Sequence, residues 1–287
     1  MTEAERNETV NRIKETLIKA GSVFSDDKKE SCVCAAREEQ NELSRWAVET
    51  ILENAEAAAS HQSPLCDDTG IPHVILETGR NRMISGEFLE AVYEGVREGL
   101  KALPGRPMAI KGTARERIDQ SGGLDENSEA VQPAPLMLRY AEEPDRLRVT
   151  VLMQGGGPEI RAKTYRVFHR HSMDVVLEEI ISWAKEAVGQ LGCSPCTLAV
   201  GIGRSHYEAS SLMLQAMAEG SYSVQNEYEK RITEEVNRTG VGALGLGGSH
   251  SVLATFLKVG PQRASGVRIV CMRPCCCMEP RKFSVDL

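Results

Sequence analysis

A cysteine followed directly by two aspartates and a Thr-Gly turn, Pro64-Leu65-Cys66-Asp67-Asp68-Thr69-Gly70, constrains this chain more than any other stretch. It separates a long helical pattern from an apolar strand pattern. Unpaired charges are expensive to bury, so a thiol and two carboxylates in three successive positions read as one corner of a metal site rather than as core. Two other cysteines stand at turns and could complete a thiolate set. They are Cys193 in Gly192-Cys193-Ser194-Pro195 and Cys277 in Cys275-Cys276-Cys277-Met278-Glu279-Pro280-Arg281.

The nine cysteines are odd in number and scattered. That suits ligands, catalytic groups or small buried hydrophobes better than a disulfide framework. The Cys-x-x-Cys from Cys193 to Cys196 lacks the second pair of a zinc ribbon, and no close ferredoxin-type run of four is present. A net charge of -7 without any basic block argues against a nucleic-acid partner. No apolar run reaches spanning length, and Glu3, Glu5 and Glu8 stand where a leader would be basic. The expectation is a soluble cytoplasmic protein with no membrane contact.

Periodicity predicts a single mixed α/β (α+β) domain over 1–287, helical to about residue 60, then a β-sheet with packed helices. Val10, Ile13, Leu17 and Ile18 mark a helix over 5–23. Leu43, Trp46, Ala47, Ile51 and Ala55 mark the apolar face of a longer helical stretch over 27–60, which reads as one helix or as two divided where the pattern weakens at Cys32 and Cys34. A strand over 72–78 and a helix over 85–103 follow, then a long loop to about 132. Strands over 136–140 and 147–153 read as a hairpin across Glu142-Glu143-Pro144-Asp145. Ser172 caps a helix that Gly192 closes, and a strand follows over 197–202. Ser205 and Glu208 have capping-box spacing, a helix covers 225–238, and further strands cover 251–259 and 267–272. The pair Gly201 and Gly203 lacks the third glycine of a dinucleotide fingerprint. Gly155-Gly156-Gly157 offers bare amides to a ligand or is a plain loop. His250 reads equally as a carboxylate binder or a hydrogen-bonded structural histidine.

Three thiolates drawn from distant parts of a chain suit a [4Fe-4S] cluster with one iron free of protein ligand, a Lewis acid for hydroxyl and carboxylate oxygens. With these motifs in hand, the chain resembles, over nearly its whole length, the iron-sulfur hydro-lyases comprising class I fumarate hydratase and the L-tartrate dehydratase α subunit. Their Cys-Gln-Asp-Thr-Gly is matched by Cys66-Asp67-Asp68-Thr69-Gly70. Their Cys-Pro-Pro, apolar strand and Gly-x-Gly are matched by Cys193-Ser194-Pro195 and Gly201-Ile202-Gly203. Their third cysteine precedes an arginine by four positions, which selects Cys277 with Arg281, and Gly245-Leu246-Gly247-Gly248 falls in the same order.

The resemblance implies reversible addition or removal of water on a small dicarboxylate such as fumarate, malate or tartrate. Cys66, Cys193 and Cys277 would be the metal ligands, and Asp68 would help orient substrate. Arg106 would bind a substrate carboxylate, with Asp67, Gly156 and Gly157 also lining the substrate. It further implies a β subunit that supplies the base, and α–α self-association in an α2β2 assembly. Several positions depart from the family pattern. Asp67 replaces a glutamine and adds negative charge where an anion should bind, unless it is protonated or paired. Gln154 replaces a frequent lysine, Pro280 a histidine, and Cys275 and Cys276 stand ready for a ligand swap. A non-enzymatic cluster-binding or redox-sensing relative, and a zinc-binding structural domain, are the competing readings.

Overall fold

A computed structural model describes all 287 residues, Met1–Leu287. Helix α1 (Glu3–Ser22) opens on a capping box between Thr2 and Glu5 and buries Val10, Ile13 and Leu17. The following helical stretch is two helices, α2 (Asp26–Glu38) and α3 (Glu42–His61). They break at Glu39-Gln40-Asn41, where the Asn41 side chain accepts the N–H groups of Leu43 and Ser44. The break is therefore not at Cys32 and Cys34, which lie inside α2. Cys32 packs against Ala36, Ala47, Val48 and Ala243 as a small hydrophobe. On α3 the core side is made of Ala47, Val48, Ile51 and Ala55, while Leu43 and Trp46, expected to face inward, are 60% and 59% exposed.

Strand β1 (Ile71–Thr78) is followed by α4 (Gly86–Ala102), capped by Ser85. The expected loop after it contains a short α-helix, α5 (Ala114–Asp119), which is stabilised locally by a Thr113–Glu116 capping box and buries nothing, and a 3-10 turn over Ser128–Ala130. Then come β2 (Met137–Tyr140), β3 (Leu147–Gln154), α6 (Gly156–Glu159), β4 (Lys163–Phe168) and α7 (Met173–Leu191). The last of these is capped by Ser172 and closed by Gly192 at φ +77°, as expected. The chain continues through β5 (Cys196–Gly203), α8 (His206–Glu219), α9 (Glu227–Asn237), β6 (Val252–Val259), β7 (Val267–Cys275) and β8 (Arg281–Asp286). Only half of the expected capping box forms at α8. Ser205 accepts the Glu208 N–H, but the Glu208 carboxylate turns to the Arg204 N–H and guanidinium instead. No helix is long and apolar enough to cross a membrane.

The chain divides into two compact units, neither continuous in sequence. Unit 1 comprises Met1–Val23, Ala55–Gly155 and Arg281–Leu287. Its sheet has the order β2-β1-β3-β8, with α1 and α4 packed on a core that includes Ile13, Leu17, Leu76, Val92, Val149 and Val151. The expected hairpin is not formed. β2 pairs in parallel with β1 and β3 pairs antiparallel with it, so β1 lies between them. The burial of the strands explains the order. β3 is buried along nearly its whole length and takes a partner on each edge, whereas β2 alternates half-buried and exposed and serves as an edge. The link from β2 to β3 crosses the end of β1 at Gly79, where a Cβ would run into the carbonyls of Glu143 and Pro144.

Unit 2 comprises Phe24–Asn54 and Gly156–Pro280. Its sheet has the order β4-β7-β5-β6, parallel only between β5 and β6. Leu198, Val200 and Ile202 of β5 share a core with Val176, Ile180 and Ala184 of α7 and Ile232 and Val236 of α9. The alternate residues face α8. A Cβ at Gly201 would strike the α8 main chain at Ala209 and Met213, so close helix packing accounts for this glycine.

Candidate active site

The Cys66 corner belongs to unit 1. Leu65 is buried and its N–H donates to the Gly21 carbonyl at 2.9 Å, which anchors the turn to the end of α1. Arg281, at the start of β8 and 1% exposed, reaches under the turn. Its Nε donates to the Met153 carbonyl at 3.2 Å and its Nη1 to the Asp68 carbonyl at 2.7 Å. Gly70 has φ +93°, and a Cβ there would lie 2.7 Å from Arg281 Nη2 and 2.9 Å from the Gln154 main chain. Only glycine fits both the conformation and the approach. A Cβ on Gly155 would lie 2.8 Å from Asp68 Oδ2, so the first glycine of the triplet makes room for that carboxylate.

Asp67 and Arg106, expected separately as substrate contacts, face one another, with Nη1 3.3 Å from Oδ2. The extra negative charge at position 67 is thus paired. Both side chains are more than half exposed, so this ion pair contributes at most about 1 kcal/mol and can be exchanged for a ligand. Beside it, Thr69 Oγ1 and Gln154 Nε2 are buried without a hydrogen-bond partner.

The Cys193 and Cys277 corner belongs to unit 2. The Cys277 N–H donates to the Cys193 carbonyl at 2.8 Å, which joins the two cysteine turns main chain to main chain. The Cys193 turn is held from its other side by the glycine-rich segment. Ser194 Oγ donates to the Gly242 carbonyl at 2.6 Å, and the Leu244 N–H donates to the Ser194 carbonyl at 2.9 Å. That segment is anchored in turn by Glu39, whose Oε2 accepts the N–H groups of Ser249 and His250 and lies 3.3 Å from His250 Nδ1. His250 is therefore paired with a carboxylate of its own unit. Burial raises the Glu39 pKa, but hydrogen bonds from Asn41, Ser249 and His250 outweigh it and hold the group at about 2.

Beneath the Cys277 turn the polar groups are deeply buried. Arg273 and Glu279, each with no side-chain exposure, pair through two guanidinium nitrogens and both carboxylate oxygens. Arg273 Nε also donates to Glu159 at 3.0 Å. Lys28 Nζ donates to the Glu279 carbonyl at 2.8 Å. The extra thiols are of another kind from Cys193, which is exposed. Cys275 is fully buried at the end of β7, and burial pushes its pKa up to about 12. Burial also raises Cys196 and Cys32. Such thiols remain protonated and behave as packing.

Of the residues singled out from the sequence, then, the structure joins Cys193 to Cys277, Asp67 to Arg106, and Asp68 to the Gly155 approach. Cys66 lies on unit 1, while Gly156 and Gly157 open α6 on unit 2, with open space where a Gly157 Cβ would stand. No three histidine, cysteine or carboxylate side chains close round a single point as in a zinc site. Sequence reasoning missed Lys28, Glu279 and Arg273, and it used Arg281 only as a marker. Arg273, directly after the apolar run over 269–272, was a usable signal. Lys28, inside the charged run Asp26-Asp27-Lys28-Lys29-Glu30, carried none.

The family model described as fumarate hydratase (fumerase) matches residues 10–286. A putative L(+)-tartrate dehydratase subunit alpha of Methanocaldococcus jannaschii is 28% identical over 253 residues, covering 85% of this chain and 86% of that protein. The L(+)-tartrate dehydratase subunit alpha of Escherichia coli is 22% identical over 287 residues, covering 96% and 91%. A putative class I fumarate hydratase of Geobacillus stearothermophilus is 24% identical over 245 residues, which is 79% of this chain but 45% of that longer protein. With nearly every residue inside the match, the chain belongs to the fumarate hydratase (fumerase) family.

Proposed function

We propose that this hydro-lyase is the α subunit of a two-chain enzyme acting on a small dicarboxylate of the fumarate, malate or tartrate kind, with a [4Fe-4S] cluster held by Cys66, Cys193 and Cys277. What carries the proposal is the bond from Cys277 N–H to Cys193 O, which sets two of the three thiol-bearing turns side by side within unit 2. The donor set fits, since thiolates are the ligands such clusters take and three of them leave one iron open. The unpartnered Thr69 Oγ1 and Gln154 Nε2 beside the Cys66 turn also support a ligand, because buried polar groups normally have partners. When bound, the cluster would supply a Lewis acid for hydroxyl and carboxylate oxygens.

The chain's own residues would bind and orient. Arg106 would exchange Asp67 for a substrate carboxylate, which its planar fork can grip at two points. Asp68, held through its carbonyl by Arg281 and given room by Gly155, would fix the hydroxyl to be lost or gained. Gly156 and Gly157 would lie along the substrate. The base that removes the proton next to the carboxylate would come from a β subunit, a division supported by the relatives named as subunit alpha. The α chains would also pair with each other in an α2β2 assembly.

The test is oxygen-free purification with the partner chain, followed by an absorbance screen against fumarate, malate, L-tartrate and mesaconate. Cys193→Ser and Cys277→Ser should each lower activity by ~10³-fold or more, the scale of a lost Lewis acid, together with iron and labile sulfide. Wild-type protein without iron and sulfide, or serine variants that keep both, would end the proposal. The Asp67–Arg106 pair favours a second reading, a cluster-binding protein that no longer takes a dicarboxylate. Under that reading no acid is turned over although the cluster is present.

A further inference from the structure

Lys28 is among the largest fully buried side chains of the protein, 1% exposed on α2. Its ammonium donates to the Glu279 carbonyl at 2.8 Å and lies 4.1 Å from the Phe24 ring centroid. It has no ion-pair partner, since no carboxylate comes within 4 Å of its nitrogen. Glu279 does not fill this role, because both of its oxygens are engaged by Arg273. The other carboxylate on Arg273, Glu159, is 63% exposed and belongs to the surface. Lys28 stands four residues before Cys32 on α2, and its bond to Glu279 sets it against the turn that carries Cys275, Cys276 and Cys277. Under the Cys277 turn two buried cations, Lys28 and Arg273, thus face one buried carboxylate, and the unmatched charge lies against the cysteine turn next to a proposed ligand.

Burial disfavours the charged ammonium and lowers the Lys28 pKa, and neither a carbonyl dipole nor a ring face supplies the missing counter-charge. A cube whose core carries two positive charges, held by three thiolates, has a single net negative charge. That balances the single unmatched ammonium.

Resting on the cluster proposed above, we infer that Lys28 is the buried counter-charge of that cluster, a positioning residue that retains it at Cys277 and sets how readily it is reduced. Net charge and hydrogen bonding around a cluster are among the factors that fix its potential. The alternative role is a brace that merely holds the Glu279 carbonyl, and a neutral amide donor can do that equally well.

The experiment uses the full chain, purified without oxygen, as wild type, Lys28→Gln, Lys28→Met and Lys28→Arg. Three quantities are measured: the cluster's midpoint potential by spectroscopic redox titration, the rate of iron loss to a chelator, and the melting temperature of the cluster-free chain. Lys28→Gln and Lys28→Met should shift the potential to more negative values and speed iron loss at least tenfold. Lys28→Arg, which keeps the charge, should restore both. The cluster-free Lys28→Met chain should melt no lower than wild type, since it has lost an unmatched buried charge. An unmoved potential in Lys28→Gln and Lys28→Met overturns the inference about Lys28 while leaving the cluster in place. A wild-type chain that takes up no cluster overturns the inference and the proposed function together.

Discussion

The turn that carries Cys66 and the turn that carries Cys277 are each fastened by a buried guanidinium, but the two arginines grip different things. Arg281 holds main-chain carbonyls, those of Met153 and Asp68, and so sets the shape of the Cys66 turn through its backbone. Arg273 holds a carboxylate, Glu279, and the two neutralise each other under the Cys277 turn. In the first corner the chemistry-bearing side chains stay at the surface, with Asp67 82% exposed and Arg106 52%. In the second corner the charged side chains form a buried platform, and Cys193 alone is exposed among the thiols there. One corner thus keeps its charged side chains at the surface, and the other sets them in a buried base beneath the cysteine turns.

That contrast is open to breakage. The largest effect on stability should come from Arg273→Met, which leaves Glu279 buried without its partner and should cost about 3–5 kcal/mol in urea unfolding. The double variant Arg273→Met/Glu279→Met should recover most of it. A single-variant loss below ~1 kcal/mol would show that the Cys277 turn does not rest on this pair. Next is Gly70→Ala, which forces a Cβ at φ +93° toward Arg281 and should destabilise by about 1–3 kcal/mol. Its loss of activity should exceed what the melting shift explains, since the Cys66 turn itself must move.

Acid should separate the corners further. The Glu39 carboxyl is held at about 2 when folded against an ordinary 4.5. A depressed folded value means that its contribution is fully present above pH 4.5 and is lost as pH falls toward 2. Because Glu39 anchors the glycine-rich segment that holds the Cys193 turn, Glu39→Gln should flatten the stability profile over that window. Urea midpoints measured across it will show whether the acid-sensitive step disappears. The smallest change in stability is expected from Asp67→Gln in the exposed corner, within ~1 kcal/mol of wild type. There the informative quantity is the KM for the dicarboxylate. It should fall several-fold as Arg106 is released, and an unchanged KM would remove Arg106 from substrate binding.

What could be learned from the sequence alone was local. The cap at Ser85, the pair Ser172 and Gly192 around α7, and the strand leading to Gly203 follow from side chains that act on their own few residues of backbone. The cysteine motifs with their flanking aspartates, glycines and Arg281 stood out for the same reason, as short runs of unusual composition, although the fold buries Cys277 and Arg281. Tertiary structure decided everything that needed a distant partner. Strand alternation states which face is buried but not which strand lies alongside, so the insertion of β1 between β2 and β3 was invisible. Helical period could not exclude Leu43 and Trp46 from the core face of α3, because the alanines beside them pack against a segment some 200 residues away. A lysine in a charged run looks solvated until the fold closes over it. Lys28, Arg273 and Glu279 acquired their roles only when α2, β7 and the cysteine turn were brought together.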